Sequence, residues 1–391
     1  MGASKPSLLI LGTRGIPAAH GGFETFAERL ALFLTGRGWD VAVYCQRDVT
    51  TVNRSVWSDR WNGIERINVE VATRGPKGTL AFDWACIRDA AARPDPCLVL
   101  GYNSAVFLPW LRLSGSRIIT NMDGIEWRRP KWSLPVRGWF WINEWIAAWT
   151  SHRLVADHPA IARHLATRRS PEAILTIPYG GVPILDAPEE PVRALGLEPD
   201  RFFVSIARIE PDNNIHLLVE AFSRQRRGMK LAILGTLDPE NRYHRAVRAA
   251  AGDEVVFTGP IYDPAIVGAL RFHARAYLHG HTVGGTNPSL VEALWAGNAV
   301  IAHDNPFNRW TAGQAALFFA DVDSCAAAIE SFVTRDDLLE RARSQAREHA
   351  AALFDWTHVL EVYEREIMRV AAVAKPESKR PLGRPWSGRV L

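Results

Sequence analysis

Short runs of aliphatic and β-branched residues alternate with longer amphipathic segments along almost the whole chain. The first helical pattern covers the sequence FETFAERLALFLTGRG, in which apolar residues from Phe23 to Leu34 recur at i, i+3 and i+4 spacing. The runs that predict strands are residues 7–12, 41–45, 67–72, 97–101, 117–120 and 153–156, and then 202–207, 230–235, 254–259, 275–280, 298–303 and 316–319. Strands that alternate with helices predict parallel sheets joined by right-handed crossovers.

The two series of strands are separated by a segment rich in proline and acidic residues, around 184–200, which we interpret as an interdomain hinge. We therefore expect an α/β protein of two doubly wound, Rossmann-like domains that face each other across a cleft. The expected units are residues 1–185, residues 186–353, a helix at 354–372 that crosses back to the first domain, and a flexible basic tail at 373–391. Ligands of such sheets bind beyond the carboxyl ends of the strands, so we expect the site in the cleft.

Composition narrows the class of protein. The 391 residues are 47% hydrophobic and 23% charged, which is ordinary for a globular protein and excludes a disordered or collagen-like chain. No run of 18 apolar residues predicts a membrane span, and the start of the chain lacks the long apolar region of a secretory signal. The four cysteines have no CxxC spacing and are expected to be buried thiols in a reducing compartment. We therefore expect a cytoplasmic protein.

The net charge of +4 is too small to indicate a polyanionic partner by itself. The basic residues of the 373–391 tail are interpreted as a solvated extension, with contact to an anionic membrane or polymer as the alternative. We expect no nucleic-acid partner.

The sequence HTVGGTNPSLVEALWAG, residues 281–297, gives the strongest chemical signal. A Gly-Gly turn precedes a helix that starts near Ser289 and stops at Gly297, with proline in its first turn. The backbone amides of Ser289 and Leu290 are expected to point out of this N-terminus, where the helix dipole favours an anion such as a diphosphate. Glu292 is placed to accept hydrogen bonds from ribose hydroxyls. The alternative is a simple capped helix after a tight turn.

Arg208 lies directly after a predicted strand, at the carboxyl edge of the second sheet. A planar cation at this edge suits a phosphate leaving group. The alternative is a surface arginine that pairs with Glu210.

The segments SIARIEPDNNIHLLVEAF (205–222) and HTVGGTNPSLVEALWAG resemble the family 4 glycosyltransferases, which are retaining enzymes with the GT-B fold. Arg208 and Pro211 match the family motif Arg-x-x-Pro-x-Lys, but the lysine position is Asn213. Glu292 matches the second glutamate of the Glu-x7-Glu motif, and Gly284 replaces the first. The segments ARIEPDNNI and HTVGGTNPSLVEA resemble one branch of this family that carries the same two replacements. Its members include bacterial rhamnosyltransferases of polysaccharide assembly.

The resemblance covers residues 7–365 and implies a nucleotide-sugar donor on the second domain, most simply dTDP-rhamnose. Arg208 is then catalytic, together with Asp123, which follows a predicted strand of the first domain. The residues expected to bind the donor are Gly15, Gly22, Arg208, Asn213, Gly235, Ile261, Tyr262, Gly285, Thr286, Asn287, Ser289, Leu290 and Glu292. We expect neither a metal nor a cofactor.

The acceptor is expected to bind to the first domain through residues at the carboxyl edge of its sheet, namely Tyr102, Asn103, Asp123 and Glu126. Glu24, in the glycine-rich segment 11–30, is a further candidate for the cleft. For His279 and His281 we consider lining of the sugar pocket, plain packing and a metal site. The implied acceptor is a saccharide on a polyprenyl diphosphate.

Tryptophan is unusually frequent, with fifteen in the chain and six of them between Trp127 and Trp149. Arg128, Arg129 and Lys131 are interspersed with these rings, a combination typical of segments at a membrane interface. The segment therefore predicts peripheral contact with the inner face of the cytoplasmic membrane, or else a helix packed on the sheet. Two further alternatives remain open: transfer of another hexose or uronic acid from a UDP- or GDP-sugar, and a non-catalytic protein that binds sugar nucleotides.

Overall fold

A computed structural model of the protein describes residues 5–19, 21–51, 56–73 and 75–372. The first domain is built on an eight-stranded sheet with the order β3-β4-β2-β1-β5-β6-β7-β8, in which β3 alone runs antiparallel to its neighbour. Its strands are β1 (Ser7–Leu11), β2 (Asp40–Asp48), β3 (Val56–Trp61), β4 (Ile64–Val71), β5 (Cys97–Leu100), β6 (Ile118–Asn121), β7 (Arg153–Ala156) and β8 (Ile174–Thr176). The central strands are buried on both faces, as parallel sheets require.

Helices cover both faces of this sheet and enclose one apolar cluster on each side. The helices of the first domain are α1 (Gly22–Gly36), α2 (Gly75–Ala90), α3 (Leu108–Leu113), α4 (Leu134–Thr150) and α5 (Pro159–Leu165). Consecutive residues of a strand pack into opposite clusters, with Leu9 on one side of the sheet and Ile10 on the other. This alternation explains why the strands read as continuous apolar runs.

The second domain contains a six-stranded parallel sheet with the order β11-β10-β9-β12-β13-β14. Its strands are β9 (Phe202–Ile206), β10 (Lys230–Leu234), β11 (Val255–Gly259), β12 (Ala276–His279), β13 (Ala299–His303) and β14 (Ala316–Phe319). Its helices are α6 (Glu190–Ala194), α7 (Ile215–Ser223), α8 (Arg242–Ala249), α9 (Pro264–His273), α10 (Pro288–Trp295), α11 (Pro306–Ala312), α12 (Val322–Thr334) and α13 (Asp336–Leu353). Helices again enclose a core on each face of the sheet.

The last helix, α14 (Trp356–Ala372), packs against α1 and β6 of the first domain. Its apolar side chains, among them Tyr363 and Ile367, belong to the same cluster as Phe26 and Leu30. Arg37 adds ion pairs to Glu361 at 3.1 Å and to Glu364 at 2.7 Å. After the second domain the chain therefore returns to the first. The predicted basic tail, 373–391, lies outside the described residues.

All twelve predicted strands are confirmed to within three residues at either end. β3 and β8 were not predicted. The four cysteines are buried and unpaired, as expected. Within the described residues, no helix has both the length and the apolar character needed to cross a bilayer.

Candidate functional site

The carboxyl ends of both sheets face a cleft that contains a cavity of about 470 Å³. Both domains contribute to its walls. Nine of the predicted site residues line it, namely Gly22, Asp123, Glu126, Arg208, Asn213, Gly285, Thr286, Asn287 and Ser289. Residues that are distant in the sequence thus meet at one place because parallel strands end at the same edge of each sheet.

The N-terminus of α10 opens onto this cavity. Pro288 occupies its first turn, and the Asn287 side chain caps the helix by accepting the Ser289 amide at 3.0 Å. The Leu290 amide donates to the Asn287 carbonyl at 3.1 Å, and the Leu290 side chain is fully buried. The expectation that these two amides are free is therefore wrong, because the helix caps itself. The positive end of the helix dipole still faces the cleft.

Arg208 follows β9 and lines the cavity with a side chain that is 71% exposed. Its Nη1 lies 3.3 Å from the Glu210 carboxylate, so the alternative pairing considered from the sequence is present. Asn213 is almost fully buried, and its side-chain amide donates to the Arg208 carbonyl at 2.8 Å. Asn213 therefore fixes the backbone that carries Arg208.

Glu292 lines a second cavity of about 300 Å³ beside the first, together with Tyr262. Its carboxylate pairs with the buried Arg271 at 2.6 Å, and Arg271 also donates to the Ser289 hydroxyl at 3.1 Å. Tyr179 contributes to the walls of both cavities, so the two form neighbouring parts of one cleft. An extended ligand in this cleft therefore meets the positive charge of Arg208 in the first cavity and the Glu292 carboxylate in the second.

Two carboxyl groups of the first domain face the same cavity. Asp123 follows β6 in a left-handed conformation (φ 51°), with its amide donating to the Asn121 side chain at 3.1 Å. Burial and then the nearby Glu126 raise the pKa of Asp123 to about 6. Asp157 follows β7, and burial and then Asp123 raise its pKa to about 7. Low solvent access and mutual repulsion thus favour the protonated forms.

Asp157 also joins the two domains. Its carboxylate accepts the Thr286 amide at 3.0 Å, and the Thr286 hydroxyl donates to the Asp157 carbonyl. A Cβ atom on Gly285 would lie 2.1 Å from the Asp157 carboxylate, so only glycine permits this approach.

Arg129 forms the second link between the domains. It bonds Glu126 at 3.0 Å on its own side and Asp212 of the second domain at 3.4 Å. Lys131 lies 3.7 Å from Glu210, also across the cleft. These two basic residues, which the sequence placed in a membrane-facing segment, pair instead with acids of the second domain.

The expected acceptor residues have different positions. The Tyr102 side chain is buried, and its hydroxyl accepts the Glu126 amide at 2.9 Å and donates to the Gly124 carbonyl at 3.0 Å. The prediction that Tyr102 contacts the acceptor is therefore wrong, since it supports the cleft loop from behind. Asn103 and Glu24 line a separate cavity of about 320 Å³ in the first domain.

Four predicted donor residues do not line the cavities of the cleft: Leu290, whose side chain is buried, and Gly15, Gly235 and Ile261. Gly15 packs against Cys45, Gly235 packs against Ala207 and Ile209, and Ile261 packs against the core of the second domain. Each of these last three is a packing position at a strand-end turn.

His281 lines the cleft, whereas His279 is buried behind it, with the two rings stacked at 4.2 Å. Burial and then the charge of Arg208 lower the pKa of His281 to about 3, so the ring is neutral at pH 7. Among the described residues, no three His, Cys, Asp or Glu side chains are grouped to hold a metal.

The cleft residues that the sequence did not predict include Arg129, Asp157, Tyr179 and Arg271. Asp157 follows the strand RLVA just as Asp123 follows β6, so the same rule could have found it. Arg271 lies inside α9 and carries no such signal.

Comparisons with known proteins agree with this architecture. Residues 189–349 match the family described as Glycosyl transferases group 1, and residues 5–181 match a domain of unknown function, DUF1972. No curated protein sequence matches the chain.

Solved structures resemble the fold over nearly its full length. Sucrose-phosphate synthase from Thermosynechococcus elongatus is 16% identical, with a TM-score of 0.78 over 95% of this chain and 100% of that one. The α,α-trehalose 6-phosphate synthase from Burkholderia multivorans is 13% identical, with a TM-score of 0.74 over 95% and 99% of the two chains. HepE from Anabaena, solved in complex with UDP, is 15% identical, with a TM-score of 0.72 over 93% and 100%.

The two facing sheets and the likeness to these structures define the class of fold, GT-B. Within that class, the second domain is a glycosyl transferases group 1 domain, and the first is a DUF1972 domain.

Proposed function

We propose that this protein is a retaining glycosyltransferase that moves L-rhamnose from dTDP-rhamnose onto a lipid-linked saccharide in bacterial polysaccharide assembly. In this reaction the bond between the anomeric carbon and the diphosphate oxygen breaks, and the acceptor oxygen bonds to that carbon. The acceptor proton goes to a phosphate oxygen of the departing nucleotide.

One observation carries the proposal: a cationic wall on the second domain faces two carboxyl groups on the first across one cavity. The wall consists of Arg208 and the N-terminus of α10. Preorganised positive groups of this kind stabilise the charge that develops on a leaving diphosphate. A sugar attached to that diphosphate extends toward Asp123 and Asp157.

Asp123 has the role of orienting the acceptor or shielding the oxocarbenium-like centre. Its left-handed backbone is held by the bond from its amide to Asn121, so the carboxyl group has a fixed direction. Glu292 is assigned to the ribose hydroxyls because its remaining acceptor capacity faces the second cavity.

The choice of rhamnose rests on the resemblance to the branch of rhamnosyltransferases that carries the two motif replacements. Asn213, at the family's lysine position, turns its side chain to the Arg208 carbonyl and brings no charge to the donor. Gly284 replaces the first motif glutamate and leaves open space where an acidic side chain would contact sugar hydroxyls. Both replacements change the residues around the sugar and leave the cationic wall of Arg208 and α10 unchanged.

Transfer of a hexose from a UDP-sugar is the second candidate. It is supported by HepE from Anabaena, which was solved with UDP and with UDP and glucose. The lipid-linked acceptor implies that the protein works in the cytoplasm at the inner face of the membrane.

The donor is tested by thermal shift and hydrolysis against dTDP-rhamnose, UDP-glucose, UDP-glucuronate, GDP-mannose and the bare nucleotides, with and without EDTA. We expect stabilisation by dTDP-rhamnose and dTDP that EDTA does not abolish. Stabilisation by UDP-glucose and UDP instead would select the second candidate. Stabilisation without hydrolysis or transfer to any acceptor would favour a binding protein.

Arg208→Ala tests the leaving-group role. We expect kcat to fall by about 100-fold, the range found when one preorganised donor to a developing oxyanion is removed. Arg248→Ala, which removes an exposed arginine of α8 in the same domain, is the matched control. Equal activity of the two variants would contradict the assignment.

A further inference from the structure

Helix α4 exposes four large apolar side chains to solvent. Leu134 is 78% exposed, Trp141 45%, Ile142 49% and Trp149 67%. At 100° per residue these four positions form one stripe along the helix, which is about 25 Å long for its 17 residues. The opposite face, buried against the domain, contains Asn143, Glu144 and Ala147.

An ordinary surface helix buries its large apolar side chains, whereas α4 exposes four of them and buries Asn143 and Glu144. The buried polar side chains have partners. The Asn143 oxygen accepts the Val106 amide at 2.7 Å, and Glu144 accepts from Trp127 and His164, both at 2.9 Å. Hydrogen bonds therefore fix the inner face of α4, and this orientation turns the apolar stripe toward solvent.

A cationic cluster lies at the C-terminal end of the same helix. Arg169 donates to the carbonyls of Ala148 and Ser151, at 2.6 and 3.0 Å, and Arg112 donates to His152 just beyond the helix. Burial and then Arg112 lower the pKa of His152 to about 4, so the ring is neutral at pH 7.

No carboxylate in the described part of the chain lies within ion-pair distance of Arg112 or Arg169. Within the described residues, two guanidinium groups thus have no counter-ion beside the exposed Trp149. Leu113, which follows Arg112, is 85% exposed.

We propose that the stripe of α4, together with Arg112 and Arg169, is the surface on which this protein docks to a bilayer containing anionic phospholipid. The headgroup phosphates meet the two guanidinium groups, and Trp141, Ile142 and Trp149 enter the interface. Tryptophan side chains bordered by arginine are typical of protein surfaces that bind at the membrane–water interface. This inference extends the membrane contact of the proposed function and names its surface and lipid class.

The charge of the surface favours a membrane over a second copy of the chain. The only acidic residue between 134 and 150 is Glu144, which is buried. A two-fold contact through this stripe would therefore bring cations near cations, with no carboxylate on the stripe to pair with them. Anionic lipid supplies the missing charge.

The position of α4 also connects this surface with the cleft. Trp139 donates to the Asn103 carbonyl at 2.9 Å, and Arg137 donates to the Trp127 carbonyl at 2.7 Å, next to the loop that carries Asp123 and Glu126. A lipid-linked acceptor lying in the docked membrane is thus brought toward the first-domain side of the cleft.

The test is co-sedimentation of the full chain with vesicles of phosphatidylcholine alone or of equal parts phosphatidylcholine and phosphatidylglycerol. We expect binding to the anionic vesicles only. Trp141→Ser combined with Ile142→Ser should weaken it about tenfold, and Arg112→Gln about fivefold, as expected for one cation at an anionic surface. Leu32→Ser and Arg248→Gln are the matched controls on other surfaces and should bind like the wild type.

Each variant is also measured by nucleotide thermal shift and by sedimentation velocity. Normal nucleotide stabilisation of the variants that lose vesicle binding separates this proposal from the donor assignment. Unchanged vesicle binding of the Trp141/Ile142 variant, or equal binding to neutral vesicles, would overturn the proposal. A wild-type dimer that this variant dissociates would show that the stripe is a contact between copies instead.

Discussion

Asp157 shows how a single carboxyl group links the site to stability. Its pKa is raised to about 7, by burial first and by Asp123 second, whereas an aspartate in an unfolded chain has a pKa near 4. The folded state therefore holds this proton over a range in which the unfolded state has lost it. The protonation of Asp157 therefore stabilises the folded state fully below about pH 4, and this stabilisation is lost as the pH rises through about 7.

Asp157→Asn imitates the protonated form and keeps an oxygen for the Thr286 amide. We expect the variant to resemble the wild type at pH 5 and to be more stable at pH 8, by on the order of 2 kcal/mol. Denaturant unfolding at both pH values measures this difference. Asp40→Asn, which changes an exposed aspartate, should follow the wild type, and parallel pH profiles of Asp157→Asn and wild type would refute the prediction.

The residues of the site were predictable to the extent that they follow strands or begin helices. Asp123, Arg208 and Thr286 could be placed because the ends of parallel strands share one edge. Tyr102 also follows a strand, yet it points inward, because the side chains after a strand can turn to either side. Arg271 was not predictable, since its pairing with Glu292 depends on how α9 packs beside α10.

At the scale of elements, α14 contributes Tyr363 to the wall of the cleft cavity. The Tyr363 hydroxyl accepts the Asn121 side-chain amide at 2.9 Å, and the Asn121 oxygen in turn accepts the Asp123 amide at 3.1 Å. A helix that follows the second domain in the chain thus holds the carboxyl group of the first. Tyr363 is a positioning residue that acts through Asn121.

Tyr363→Phe removes one buried hydrogen bond, which costs about 1 kcal/mol of stability. We expect kcat to fall several-fold because the Asp123 carboxyl group loses its fixed direction. The KM for the donor should stay the same because the cationic wall of Arg208 and α10 does not change. Tyr44→Phe is the matched control, since it removes the bond from a buried tyrosine to Asp89, far from the cleft. If both variants lose stability but keep full kcat, α14 has no positioning role.

The two strands that were not predicted, β3 and β8, lack the sequence pattern of a buried parallel strand. β3 is an edge strand whose residues alternate between exposed and half-buried, so it lacks the apolar run of a central parallel strand. It is joined to β4 by Asn62 and Gly63, both with positive φ, which is a hairpin signal that could have revealed it. β8 has three residues, too few for a periodicity.

At the scale of the whole molecule, the contacts between the two domains include two ion pairs across the cleft. Arg129 pairs with Asp212 across the cleft, with side chains that are 19% and 10% exposed, so water screens this pair only in part. Its other partner, Glu126, lies in the same loop, which places the guanidinium between the two domains. The closed arrangement that brings Asp123 opposite Arg208 thus depends on this pair together with the bond between Asp157 and Thr286.

Arg129→Gln should therefore shift the protein toward open arrangements, in which the two domains no longer share the cavity. We expect a larger radius of gyration by small-angle X-ray scattering and a KM for the donor raised several-fold. Arg128→Gln is a close control: Arg128 stacks on Trp127 and forms no ion pair within the described residues. In a double-mutant cycle with Asp212→Asn, the Arg129 effect should shrink, with a coupling energy of about 1 kcal/mol. Strict additivity of the two substitutions would mean that closure rests on Asp157 and Thr286 without the ion pair.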